Sequence, residues 1–121
     1  MKYYIQAIKK SGDYKTRASR SEYWLFILTH FFVMILLTFF MSIIFNSSGR
    51  ELGSLILYLF FFVMLIPHLA LTVRRLHDSD RSGVYIFSGF IPIVGPFVML
   101  YFLTQPSTIG INEYGPEPIG F

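Results

Sequence analysis

Three stretches of this chain, residues 25–45, 52–73 and 84–103, hold no Lys, Arg, Asp or Glu; its ten Lys and Arg and seven Asp and Glu all fall elsewhere. A bilayer's hydrocarbon takes about 20 apolar residues to cross as a helix and penalises an ionised side chain at its centre. The runs have that length and that emptiness. They confine the fold class to an all-α membrane protein, a single membrane domain with three transmembrane helices. Composition agrees: 54% of the residues are hydrophobic and 14 are Phe, more apolar surface than a soluble domain of 121 residues hides. The absence of Cys removes disulfides and thiolate chemistry.

Residues 1–24 read as a basic interfacial segment. In Met1 to Lys10 a helical stripe carries Met1, Tyr4, Ile5 and Ile8, with Lys2, Lys9 and Lys10 largely off it. Ser11-Gly12-Asp13 ends that pattern. Ser19 and Glu22 then stand in the S-x-x-E relation of a capping box, which starts the first long helix, and Tyr23 and Trp24 suit headgroup depth. No small-residue cleavage pattern closes the first apolar run, so it reads as a retained anchor.

The first run, Leu25 to Phe45, holds 15 Leu, Ile, Val and Phe residues, and at roughly 0.3–0.6 kcal/mol each about 4–9 kcal/mol favours its insertion. The polar turn at residues 46–51 is short, so Leu52 to Val73 returns as an antiparallel neighbour. The third run, Val84 to Leu103, is diluted by Gly89, Pro92, Gly95 and Pro96. Pro92 and Pro96 deny the carbonyls of Ser88 and Pro92 their helical N–H partners, so the segment breaks at Pro92, Gly95 and Pro96. A kinked third crossing is expected, with a segment that dips in and returns as the alternative. The tail from residue 104 to 121 is turn-rich and irregular, and it is expected to pack back over the helix ends, with partner recognition through Tyr114 as the other use.

Nine of the ten basic residues lie before the first run or in the loop 74–83, against Arg50 alone in the first turn. The positive-inside rule puts the N-terminus and that loop in the cytoplasm, and three crossings put the tail outside.

Four blocks carry a family resemblance: Tyr14 through Trp24; Pro67 leading to Arg74-Arg75-Leu76-His77-Asp78 with Arg81-Ser82-Gly83; Ile91-Pro92-Ile93-Val94-Gly95; and Gly110 through Pro118. In this order they resemble the DUF805 family of small bacterial inner-membrane proteins. The resemblance implies a multi-pass inner-membrane protein and names no reaction. Thr16 stands where the family usually has Gly, Asp80 where a small residue is common, and Val84 where an aromatic is usual. Asp80 adds a negative charge that weakens simple anion binding by the loop.

Charged residues cluster at the cytoplasmic helix ends. Arg17, Arg20, Arg74 and Arg75 carry planar forks suited to phosphate or carboxylate, which makes them candidates for anionic lipid headgroups. Opposed to that is a role as topology determinants paired with Glu22 and Asp78. Glu22, His77, Asp78 and Arg81 are ion-pair or proton-carrier candidates, since a carboxylate beside an imidazole orients it. His30 and His68 lie about 8 Å inside their runs and could face each other, which makes them intramembrane polar candidates. A two-His site lacks further ligands, so no metal and no cofactor is expected.

Nothing resembles a phosphate-cradling loop, a nucleophile elbow or paired hydrolytic carboxylates, and no nucleic-acid partner is expected. The expected partners are the lipid bilayer, with anionic lipids, and a second copy or another membrane protein. Three function classes follow: a non-enzymatic envelope accessory or interaction protein, a small oligomeric channel or transporter using the broken third helix, and a His-dependent membrane enzyme or redox protein. The first is favoured, and it expects Arg-to-Lys changes at Arg74 and Arg75 to be tolerated.

Overall fold

A computed structural model describes residues 1–118; residues 119–121, the end of the expected 104–121 tail, lie outside the described residues. Four α-helices and one 3₁₀ helix follow in chain order: α1 Lys2–Lys9, α2 Arg20–Ile44, α3 Arg50–Asp78, the 3₁₀ helix Gly83–Phe90, and α4 Gly95–Thr104. Ser19 caps α2 by accepting the Glu22 N–H at 3.1 Å, the first half of the capping box. The side chain of Glu22 goes instead to Arg74, at 3.1 Å.

At 1.5 Å per residue α2 and α3 run about 37 and 43 Å, longer than the hydrocarbon is thick. Both are apolar enough to cross it, and their most apolar 18-residue stretches are 0% and 28% buried inside the protein. Such faces belong against lipid, because the core helix of a soluble domain would be enclosed. The turn between them is closed by Asn46, whose carbonyl accepts from Gly49 and whose side chain accepts from Ser48.

Helix α3 continues past the apolar run, so Arg74 to Asp78, expected in the loop 74–83, form its last turn. It stops in a Schellman motif, with the Asp80 N–H on the His77 carbonyl and the Arg81 N–H on that of Leu76, both at 3.0 Å. Asp80 occupies the left-handed position, φ 61°. A glycine or asparagine is easiest there, which accounts for a small residue at this point.

Residues 84–103 do not form the single kinked helix that was expected. The 3₁₀ helix runs into a tight reversal at Ile91–Val94 and α4 comes straight back, so Pro96 opens a helix where a kink inside one was expected. The carbonyls that the prolines deprive are satisfied locally: Ser88 accepts from Ile91 and Pro92 from Val94, at 3.2 and 2.8 Å. Ile93 takes φ 69° to close the second of these turns. Gly95 is required, because a Cβ there would meet the Gly89 carbonyl oxygen at 2.5 Å. Ten residues of α4 span only about 15 Å, half the hydrocarbon. Both ends of the hairpin lie at the Asp78 end of α3: a Cβ on Gly83 would touch Val73 at 2.9 Å, the Arg81 guanidinium lies 4.9 Å over the Phe102 ring, and Arg75 bonds the Leu103 carbonyl.

Helix α1 packs on α2 through Tyr4 and Ala7, whereas Met1, Ile5 and Ile8 of the expected stripe are exposed. It thus has a protein-facing pair and a separate exposed apolar set. The core, Tyr4, Ala7, Ala18, Tyr23, Phe26, Met64, Leu71 and Leu103, draws on α1, α2, α3 and α4. Lipid tails are as apolar as Leu, so burying these residues within the membrane supplies little drive, and specific polar contacts must hold the helices in register.

Candidate functional site

Those contacts gather where α2 begins and α3 ends. Arg74, Arg75 and Asp78 have no exposed surface at all, and Arg17 retains only 5%. An ion moved out of water costs several kcal/mol even after relaxation, so such burial survives only where partners are nearly complete.

Asp78 is the hub. Its Oδ1 accepts from Arg17 Nε at 3.1 Å; its Oδ2 accepts from Arg75 Nη1 at 2.6 Å and from the Ser107 hydroxyl. Its backbone carbonyl also takes the Thr108 N–H at 2.8 Å. One carboxylate thus serves two guanidinium groups, and backbone dipoles supply the remaining negative charge. Arg75 donates from Nε to the Leu103 carbonyl at 3.1 Å and from Nη2 to that of Gln105, the free C-terminal carbonyls of α4. Arg75 is therefore the cap of α4, placed at the negative end of its dipole. Arg17 does the same for the tail, donating to the carbonyls of Thr108, Gly110 and Gly115 at 2.6, 2.7 and 3.2 Å. Gly110 and Gly115 have φ of 73° and 118°, conformations that suit glycine and fold the tail around the guanidinium.

Arg74 differs from its neighbour. Its Nη1 meets Glu22 Oε1 at 3.1 Å, but Nε and Nη2 are buried without a hydrogen-bond partner. Its carbonyl accepts the Ala18 N–H at 3.0 Å, which pins the segment ahead of α2 to α3.

His77 is 6% exposed and lies flat on Tyr114, with centroids 3.9 Å apart and planes 2° apart. Its Nδ1 lies 3.1 Å from the Thr16 carbonyl, a contact that needs a proton on that nitrogen. Asn112 donates to its backbone carbonyl at 2.9 Å. Although adjacent in sequence, His77 and Asp78 thus point to different partners. Nearby, Asp13 accepts from Thr16 Oγ1 and from the N–H groups of Lys15 and Thr16. Burial works against its charge, but these bonds hold its carboxyl below the ordinary value. The Tyr114 phenol is pushed up, first by burial and then by Glu113 and Asp80.

Of the four arginines expected to face headgroups, Arg17, Arg74 and Arg75 are buried, and Arg20 at the start of α2 is exposed. Arg81 sits over Phe102 and donates to the Ser79 carbonyl at 3.4 Å. His30 and His68 do not bond each other: Nδ1 of His30 and the Tyr4 hydroxyl lie 3.1 Å apart, and Phe26 contacts both imidazoles at centroid distances of 5.9 and 6.0 Å. Among the described residues no three His, Cys, Asp or Glu side chains group to hold a metal ion. Pro92, Gly95 and Pro96 lie in the reversal and the first turn of α4, away from the charges.

Sequence reasoning missed the tail's acceptors and donors at Gln105, Ser107, Thr108 and Asn112. The available signal was the pair Gly110 and Gly115, which marks a loop wrapped around something. Most of the site's polar groups are taken: both carboxylates are held by cations, the Ser107 hydroxyl donates to Asp78, and the His77 proton is committed, while Arg74 Nε and Nη2 keep unused donors. The site is built to hold four chain segments together.

Residues 12–116 match the family described as "Protein of unknown function (DUF805)". Two relatives from Escherichia coli strain K12 align over nearly their whole length. The inner membrane protein YhaI is 36% identical, covering 98% of this chain and 96% of its own. The inner membrane protein YhaH is 35% identical, covering 98% and 97%. No solved structure matches the chain. The matched span runs from the loop before Arg17 to the tail that Arg17 holds, so every member of the buried charge network falls within it, and the chain belongs to the DUF805 family, to which it is tied also by its likeness to the E. coli inner membrane proteins YhaI and YhaH.

Proposed function

We propose that this chain is a non-enzymatic accessory or interaction protein of the bacterial inner membrane, crossing it twice, with its N-terminus, the 79–82 turn and its tail together on the cytoplasmic face. The observation that carries this reading is the spending of the Arg17 and Arg75 donors on Asp78 and on backbone carbonyls of α4 and the tail. Guanidinium groups bound in this way are structural. They turn the tail into a fixed plate over the helix ends, a surface for a partner, and leave contact with anionic headgroups to the outlying Arg20, Lys2, Lys9 and Lys15. The basic residues favour the cytoplasm for this end by nine to one.

The test is to lock the plate shut. The chain has no cysteine, so Ser79→Cys and Thr108→Cys, next to the bond between the Thr108 N–H and the Asp78 carbonyl, can be joined by a membrane-permeant bismaleimide, whose thioether bonds survive the reducing cytoplasm and tie the tail down. Expressed in a strain lacking the protein, the locked form should restore the wild-type phenotype fully. A locked protein of normal abundance and topology that fails to do so would show that the site must open to a ligand or substrate, against this reading.

A further inference from the structure

At the other end of the helix pair, α2 and α3 touch through Phe45, whose side chain would lie 3.1 Å from a Cβ on Gly49 or Gly53. They approach again where His30 stacks on Phe60, centroids 6.0 Å apart. Between these contacts lie three hollows. The first, about 190 Å³, has the most polar wall of the three, with Thr38, Ser42, Asn46, Arg50 and Ser54 beside the apolar Met41, Phe45 and Leu57. The second, about 390 Å³, follows α2 past Phe31, Ile35 and Phe39. The third, about 370 Å³, follows α3 past Tyr58, Phe61 and Phe62.

Shared wall residues make them neighbours, the second open along one face of α2 and the other two set between α2 and α3. Thr38 and Ser42 line the first and second, Leu57 the first and third, and Met34 the second and third. The result is a fork with one polar head and two apolar arms. At 1.5 Å per residue Ser42 lies about 27 Å beyond Trp24 along α2 and Met34 about 15 Å. The head is therefore at the far headgroup level, and the arms meet near the middle of the bilayer.

We propose that this fork binds one diacyl phospholipid, its phosphate against Arg50 and one acyl chain in each arm. Arg50 is the one basic residue at this end, and its planar fork suits a phosphate. It is also the first residue of α3, which has no side-chain cap, so the N–H groups of that first turn are open to the same anion. The Ser42 and Ser54 hydroxyls donate to the carbonyls of Phe39 and Glu51, which leaves their lone pairs to accept from a hydroxyl or ammonium of the headgroup. A lipid that merely coats the helices needs only the arms. A bound one needs the arms and the head together.

The test uses the full chain in nanodiscs, released for native mass spectrometry, with phosphatidylglycerol compared against a diacylglycerol of the same chains. Wild type should retain one phosphatidylglycerol per chain in clear excess over diacylglycerol. Arg50→Gln, at an exposed side chain, should lower that retention about fivefold or more, as the loss of a charge-assisted hydrogen bond implies. Thr38→Phe, which fills the junction of head and arm, should do the same and decides the matter if Arg50→Gln fails to fold. A smaller loss, no retained phospholipid in wild type, or equal retention of diacylglycerol overturns the proposal.

Discussion

The two ends of the α2–α3 pair face the same problem, a polar chain segment leaving the membrane, and answer it in opposite ways. At one end Arg17, Arg75 and Asp78 are buried and knit to the tail, Arg74 is buried against Glu22, and the charges hold four segments in register. At the other a turn of five residues has its middle three exposed, Arg50 forms no salt bridge among the described residues, and the helices part to leave a hollow with polar groups in its wall. In lipid no hydrophobic drive separates one arrangement of helices from another, which leaves the choice to close packing and to polar bonds between segments. Specificity therefore sits in whichever end has its polar groups mutually satisfied. Within that end, neighbouring arginines repeat the contrast: Arg75 reaches Asp78, Leu103, Gln105 and Ala18, whereas Arg74 reaches Glu22 alone.

Removing the hub should break the contrast most severely. Asp78→Ala leaves two guanidinium groups buried without their carboxylate, and about 3–5 kcal/mol of stability should be lost in a denaturant titration in detergent. The tail should become open to protease in the same variant. The neighbours then sharpen it: Arg75→Lys keeps the charge and loses the fork, at about 2–4 kcal/mol, whereas Arg74→Lys should cost less than about 1 because two of its nitrogens have no partner to lose. The sequence alone expects both changes to be tolerated, and the hydrogen bonds lead us to expect that of Arg74 and a measurable loss at Arg75. Gly95→Ala pushes the hairpin arms apart and should cost about 1–3 kcal/mol, seen in the same titration. Smallest is Ser19→Ala, which removes the α2 cap for about 1 kcal/mol.

The two long helices and their shared turn were legible because the absence of charge is a local property of sequence. The start of α2 was legible for the same reason, from Ser19 and Glu22. Other features depended on contacts that no local pattern encodes. A charge-free run of 20 residues has the same composition whether it crosses or goes halfway and returns. Pro92 and Pro96 announced a break, but its sharpness came from the close approach of Gly95 to Gly89. The arginines read as exposed loop charges because their acceptors, the carbonyls of Leu103, Thr108 and Gly110, lie 28 to 93 residues away along the chain. Asp78 could be suspected as a partner, but its service to both Arg17 and Arg75 could not.

The central claim is that residues 84–103 return to the end they left, so that Arg17 can hold the tail. The most direct measurement is a pair of topology reporters in the intact chain, one in the turn 46–51 and one after Phe121, read in whole cells. Two crossings place the turn outside and the chain's end in the cytoplasm. A reporter after Phe121 found outside would mean a third crossing, and it would contradict the account.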